Sequence, residues 1–233
     1  LLMHQGELAA ACPLYLKTHS RGEYVFDFGW ANAYTQHGLA YYPKALVAVP
    51  FTPVPGARLL ARTPPERALL ANALVAWCED QGVSGLHSLF ASDDDVLAWQ
   101  HSGLLLRHTV QFHWTNTTPG YASFEDFLST LTQEKRKKIR QERRKVLDAG
   151  VSFRVAQGTD ISTADWDFFY RCYERTYLEH GNAPYLNRDF FAHMAHDMPD
   201  DWLLFTAHRG GQAIATSLIA TNASISMTKG RNG

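Results

Sequence analysis

Residues 123–150, SFEDFLSTLTQEKRKKIRQERRKVLDAG, are the stretch around which the rest of the chain is read. Ser123 reads as a helix N-cap with the acidic Asp126 at the third helical position, and Gly150 supplies a C-terminal stop. Between them, Phe124, Phe127, Leu128 and Leu131 form an apolar stripe that Ile139 and Val146 continue a heptad apart. Thr132 is a second candidate N-cap, so two helices can meet there. From Lys135 to Lys145, eight of eleven residues are basic, which is over a third of the chain's 22 Lys+Arg. At about 100° per residue, Arg136, Arg140, Arg143 and Arg144 fall on one flank of the stripe, and Lys137, Lys138 and Lys145 on the back and opposite side. Arginine suits bidentate phosphate or carboxylate contacts, whereas lysine acts as a solvated point charge. The segment therefore reads either as a solvated amphipathic helix or as an arginine edge facing an anionic ligand.

The rest of the composition bounds the options. A chain of 233 residues, 45% hydrophobic and 12% aromatic, can bury a core and suits one large domain or two small ones. The net charge of −1 gives no global field toward nucleic acid or membrane, so the basic helix is a local feature balanced by acids such as Asp93–Asp95 and Asp197–Asp201. Cys12, Cys78 and Cys172 are few, odd in number and widely spaced, which argues against a disulfide framework and fits a reducing compartment, the cytoplasm. No apolar run approaches a membrane span, and the opening LLMHQGELAAAC does not read as a signal peptide.

Taken in order, Glu7–Lys17 reads as a strand, the second arm of a hairpin turning at Gln5-Gly6, and Tyr24–Phe28 as another. Trp30–His37 reads as a helix stopped by Gly38. Tyr41–Val49 reads as an edge strand, or one that begins after Pro43. Phe51–Pro65 is a proline-rich loop, and Pro65–Gln81 a helix started by Pro64-Pro65 and ended by Gly82. Ser84–Phe90 is a strand, and Ser92 caps a short helix that Asp93, Asp94 and Asp95 favour at its positive end. Leu104–Trp114 reads as a long strand, followed by a Thr/Asn/Pro/Gly loop at Thr115–Gly120 that marks a boundary. After Gly150 come a strand (Val151–Ala156), an aromatic helix (Trp166–Glu179), a loop, a helix (Arg188–His196) and a hairpin around Gly210-Gly211. This pattern predicts an α+β fold: a first lobe over 1–120, a second over 121–220, and a polar tail over 221–233.

No Walker loop, GxGxxG, GxSxG or paired CxxC is present. His193 and His196 lie one helical turn apart, but no third metal ligand is signalled beside them. Cys78 reads as core. Two polar-aromatic groupings remain: Asp27, Trp30, Tyr41, Tyr42 and Lys44, and Glu174, Tyr177, His180, Asn182 and Tyr185. In the second, Glu174, His180 or a tyrosine is suited to act as a general base toward an amine. Otherwise both groupings only satisfy loop hydrogen bonds.

Three segments, EKRKKIRQERRKVLDAGVSFRV, DFFYRCYERTYLEHGNAPYLNRDFF and GGQAIATSLIA, resemble the second lobe of FemAB-like proteins. That is the peptidoglycan biosynthesis/recognition family within the GNAT acyltransferase superfamily. PLYLKTHSRGEYVFDFGWANAY, YYPKALVAVPFTPVPGARLL, GLHSLF and QFHWTN resemble a bacterial branch of it described only as N-acyltransferases. The resemblance covers roughly Glu7–Ala220. It implies two GNAT-like lobes, each a mixed sheet with flanking helices. It also implies transfer of an acyl or aminoacyl group from acyl-CoA or aminoacyl-tRNA, as co-substrate rather than tightly bound cofactor, to an amine such as that of a cell-wall precursor. On this reading Arg136, Arg140, Arg143 and Arg144 contact the donor. Glu174, His180 and Tyr177 are the catalytic candidates, and Trp30, Tyr41, Tyr42, Lys44, Asn182 and Tyr185 the substrate-binding ones. Measured against the family pattern, both lobes read as incomplete, the second lacking the loop whose backbone amides would hold a pyrophosphate. Two other readings stand beside this one: an RNA-binding module built on the basic helix, and a recognition protein without catalysis.

Overall fold

The computed structural model describes residues 1–221; the expected tail beyond Thr221 lies outside the described residues. Contacts between residues divide the chain into two compact units, Leu1–Phe112 and the part from His113 onward. Among the described residues there are seven α-helices and three three-stranded sheets, an α+β fold.

In the first unit, β1 (Leu2–His4) and β2 (Glu7–Ala11) form the expected hairpin. Gln5 and Gly6 at its tip both have positive φ, as a two-residue hairpin turn demands. The expected single strand through Lys17 is two strands in different sheets: Pro13 ends the pairing, and β3 (Tyr15–Lys17) joins a second sheet. There β3 lies antiparallel to β4 (Lys44–Val47), which lies parallel to β6 (Leu86–Ser88). The strand expected at Tyr24–Phe28 is instead a turn with Tyr24 at φ 57, leading into α1 (Phe28–Gln36). A short strand, β5 (Leu60–Ala61), interrupts the proline-rich loop and pairs with β2.

Between β5 and β6 runs α2 (Pro64–Asp80), capped by Thr63, whose hydroxyl accepts from the Glu66 amide. After β6, Ser92 caps α3 (Asp93–His101) in the same way through the Asp95 amide. The two helices bury Leu70, Ala71, Leu74, Ala98 and Trp99 against Ala10, Val47 and Leu59. Asp95 itself is fully buried and accepts from the amides of Arg58 and Leu59, which ties the incoming loop to α3. The strand expected over Leu104–Trp114 does not form: the segment has no ladder partner among the described residues, and Leu105, Val110 and Phe112 stand exposed.

In the second unit the reference stretch is two helices. Ser123 caps α4 (Phe124–Ser129), and Thr132 caps α5 (Gln133–Asp148). Leu128 is fully buried, but α5 carries no buried residue. β7 (Val151–Gln157), β8 (Trp202–Arg209) and β9 (Gln212–Ala220) form an antiparallel meander, with Gly210 and Gly211 at positive φ in the last turn. A capping box between Ser162 and Asp165 starts α6 (Thr163–Glu179), and Asn187 caps α7 (Arg188–Asp197). The helices bury Trp166, Phe169 and Phe191 against Ala156 and Leu204 of the sheet. Aromatic rings are the bulk of this core: Phe169 and Phe191 meet edge-on at 5.0 Å, a geometry that adds to the area they bury.

Candidate functional site

Strand β4 reads Lys-Ala-Leu-Val, and all four residues are buried. A lysine at the head of such a strand needs partners, because an unpaired ammonium in the interior costs several kcal/mol. Lys44 Nζ donates to Ser20 Oγ at 2.7 Å, Glu23 Oε2 at 2.8 Å and Asp27 Oδ2 at 2.5 Å, which uses all three of its protons. Tyr41 donates to Asp27 Oδ2 at 2.8 Å, and the Tyr42 and Ser20 hydroxyls are 2.8 Å apart. The Tyr41 and Tyr42 rings lie perpendicular at 5.0 Å, with the ammonium 5.6 and 5.9 Å from their centroids.

The cluster sets its own ionisation. Burial alone would push the Asp27 carboxyl up, but hydrogen bonds from Lys44, Tyr41 and Ser20 and the charge of Lys44 override it and hold Asp27 below the usual carboxylate range. Burial and the facing Asp27 carboxylate push the Tyr41 phenol well up, so it stays a donor. His87, on β6, has Nε2 3.4 Å from the Tyr41 hydroxyl and Nδ1 3.9 Å from Asp27. Burial and the charge of Lys44 lower its pKa against the opposing pull of Asp27. Ligating atoms of Glu23, Asp27 and His87 lie within 4.8 Å of one another, a spacing a metal ion would suit. The cation seated against both carboxylates is the Lys44 ammonium, and its charge opposes a second one.

Of the substrate-binding candidates, Tyr41, Tyr42 and Lys44 therefore come together, but Lys44 has no exposed surface and Tyr41 almost none. The charge of Lys44 is spent inside the protein, on Ser20, Glu23 and Asp27, whereas Tyr42 keeps part of its surface exposed. Trp30 stands half exposed on α1 and takes no part in the cluster's hydrogen bonds. Ser20, Glu23 and His87 were not singled out by sequence; the signal that points to such partners is a lysine opening an otherwise apolar strand.

The second grouping is assembled at the end of α6. His180 caps the helix through its amide, Asn182 donates from its amide to Tyr177 O at 2.9 Å and from its side chain to His180 O at 3.1 Å. The Tyr177 and Tyr185 rings meet edge-on at 5.0 Å. Glu174 is half-buried, and its carboxylate has no hydrogen bond or ion pair among the described residues. The imidazole of His180 is exposed.

The four arginines of α5 part ways. Arg136 Nη1 donates to Leu131 O at 2.5 Å and Ser129 O at 3.3 Å, closing the end of α4 as basic side chains do for terminal carbonyls. Arg140 pairs with Glu125 at 2.5 Å. The guanidinium of Arg143 lies 4.4 Å from the Phe124 ring centroid. Arg144 is exposed and unpaired among the described residues. Phe124 also lines an open cleft of about 570 Å³ with Trp114, Asn116, Tyr121, Ser123 and Phe127. Trp114 and Tyr121 stack at 6.3 Å, and Phe127 meets both edge-on.

The model of the FemAB-like family, described as peptidoglycan biosynthesis/recognition, matches residues 1–228, nearly the whole chain. The chain belongs to the FemAB-like family. No curated protein matches it. Membership ties this chain to peptidoglycan biosynthesis and recognition, as the resemblance implied. No helix of the described residues is long and apolar enough to cross a membrane.

Proposed function

We infer that this FemAB-like protein is a transferase that moves an acyl or aminoacyl group from a phosphate-rich, nucleotide-bearing donor to an amine of a peptidoglycan precursor. The observation that carries this reading is the cationic edge of α5 beside the aromatic cleft. Eight basic residues fall between Lys135 and Lys145, and Arg143 is stacked on a ring that lines the cleft. Aromatic faces hold nucleobases by stacking, and adjacent guanidinium groups take the phosphates. An acyl-CoA and the 3′ end of an aminoacyl-tRNA both present adenosine and phosphate, so either fits this chemistry. Both are cytoplasmic compounds, so this reading implies that compartment, and three free cysteines are in keeping with it.

The reaction forms an amide C–N bond as the acyl carbon leaves sulfur, for a CoA thioester, or the ribose oxygen, for a tRNA ester. The attacking amine must be neutral and must lose a proton, and the leaving group must gain one. Glu174 is the group at the end of α6 that is half-buried and has an unused carboxylate, so it is the first choice as base. Tyr177 lies within one turn of Glu174 and His180 nearly two turns on, at the helix cap, and Asn182 and Tyr185 shape the loop that would hold the acceptor.

Arg136 and Arg140 are occupied within the protein, so the donor contacts narrow to Arg143 and Arg144. The Arg143→Ala/Arg144→Ala variant should bind CoA esters or aminoacyl-tRNA more weakly, and the slope of log affinity against log salt should flatten by about two. Unchanged affinity for both donors would sink the donor role. The internal engagement of Arg136 and Arg140 favours a second reading, recognition without catalysis. It is separated from the first by turnover with either donor.

A further inference from the structure

The first unit contains a cavity of about 260 Å³ that no part of the donor reading uses. Its buried floor is Leu46, Ala48 and Leu89. Phe51 and Phe90 form walls, and both hold φ 53, a left-handed conformation that is a true outlier for a bulky residue. Such strain collects at ligand clamps. Gly22, at φ 79, lets the Phe51 ring sit where any β-carbon would stand: a Cβ there would lie 2.1 Å from Phe51 Cε1. The wall is thus built by a matched glycine and aromatic ring.

Two opposite charges line the same cavity, Glu23 and Lys17. Glu23 is almost wholly buried, and Lys44 grips its Oε2, which positions the side chain from behind. Its Oε1 accepts no hydrogen bond. Lys17 Nζ is 3.8 Å from that oxygen, beyond hydrogen-bonding reach, and donates to Arg21 O instead. A buried carboxylate oxygen left without a donor is costly, so a ligand that brought a donor to it would be favoured.

We propose that this cavity binds an amino acid or peptide end with a free ammonium, a neighbouring carboxylate or carbonyl and an aliphatic side chain. The ammonium takes Glu23 Oε1, the carboxylate takes the spare protons of Lys17, and the side chain packs on Leu46, Ala48 and Leu89 between Phe51 and Phe90. The volume falls below the roughly 300 Å³ at which drug-sized ligands begin, which selects a single small residue. The proposal stands apart from the donor reading and needs no turnover.

The test is titration of the whole protein with L-leucine, N-acetyl-L-leucine and isoamylamine, followed by backbone NMR shifts at Gly22, Ala48 and Phe51. Leucine should shift these signals. N-acetyl-leucine, which lacks the charged amine, should bind at least about tenfold more weakly, the loss expected of one charge-assisted hydrogen bond, and isoamylamine should also weaken. Val49→Trp, at a half-exposed position on the cavity rim, should abolish the shifts without disturbing the Lys44 cluster. Shifts that are absent at millimolar leucine, equal for leucine and its N-acetyl form, or unaffected by Val49→Trp would overturn the assignment.

Discussion

Lys44 and the basic helix α5 handle positive charge in opposite ways. One lysine, inconspicuous in composition, is wholly enclosed and hydrogen-bonded three times over. Eight basic residues on α5, the loudest feature of the sequence, bury nothing fully. Two of its arginines fasten the helix to α4, one stacks on Phe124, and Arg144 is exposed and unpaired among the described residues. The lesson is that the number of charges in a segment says little about how much each one does. Desolvation decides that, because the same ion pair is worth far more to break inside the protein than at its surface.

The largest effect is expected from Lys44→Met. It keeps the bulk of the side chain but leaves Glu23 and Asp27 facing each other without a cation. The expected cost is about 3–5 kcal/mol, the range for removing one partner of a buried pair. Denaturant unfolding followed by amide protection on β4 would show it. A loss under about 1 kcal/mol would mean that water or a proton replaces the ammonium easily, and the contrast with α5 would vanish.

A smaller effect sharpens the same contrast through pH. His87 faces Asp27, Tyr41 and Lys44, with Arg107 also acting on it, and its pKa is lowered by burial and by Lys44. A group with a depressed folded pKa contributes stability that is fully present above its unfolded value, about 6.5. That contribution is lost as pH falls from there through the folded value. The first unit should therefore melt at lower temperature on going from pH 7 to pH 5, and His87→Gln should flatten that slope. Asp27 follows the same sign in a separate, more acidic window, below about pH 3.9. A melting temperature independent of pH between 5 and 7 would remove His87 from the charge balance.

What could be read in advance was local. The caps at Ser123, Thr132 and Ser92 and the glycine stops depend on residues three or four positions apart, and the structure places helices at each. The strand over Leu104–Trp114 misled because apolar alternation records only that a segment is extended; a ladder needs a partner supplied by the rest of the chain. Tyr24–Phe28 failed for a related reason, since its apolar residues belong to a turn that delivers Glu23 and Asp27 to Lys44. The buried cluster draws on three separate segments around Ser20–Asp27, Tyr41–Lys44 and His87, so its membership was visible only in part. The cavity beside it was not legible at all, because no periodicity encodes a ring seated on a glycine.

The least effect is expected where the sequence is most charged. Arg140 and Glu125 approach within 2.5 Å, but both side chains are more than half exposed. Water and salt screen such a pair, and holding two long side chains together costs entropy, so a double-mutant cycle with Arg140→Ala and Glu125→Ala should give a coupling of about 0–1 kcal/mol. It should shrink further in molar salt, where the screening length is about 3 Å. A coupling well above 1 kcal/mol that resists salt would mean that α5 is latched to α4 as firmly as Lys44 is held in its cage. Arg143 and Arg144 would then sit on a rigid platform rather than on a helix steadied mainly by its caps.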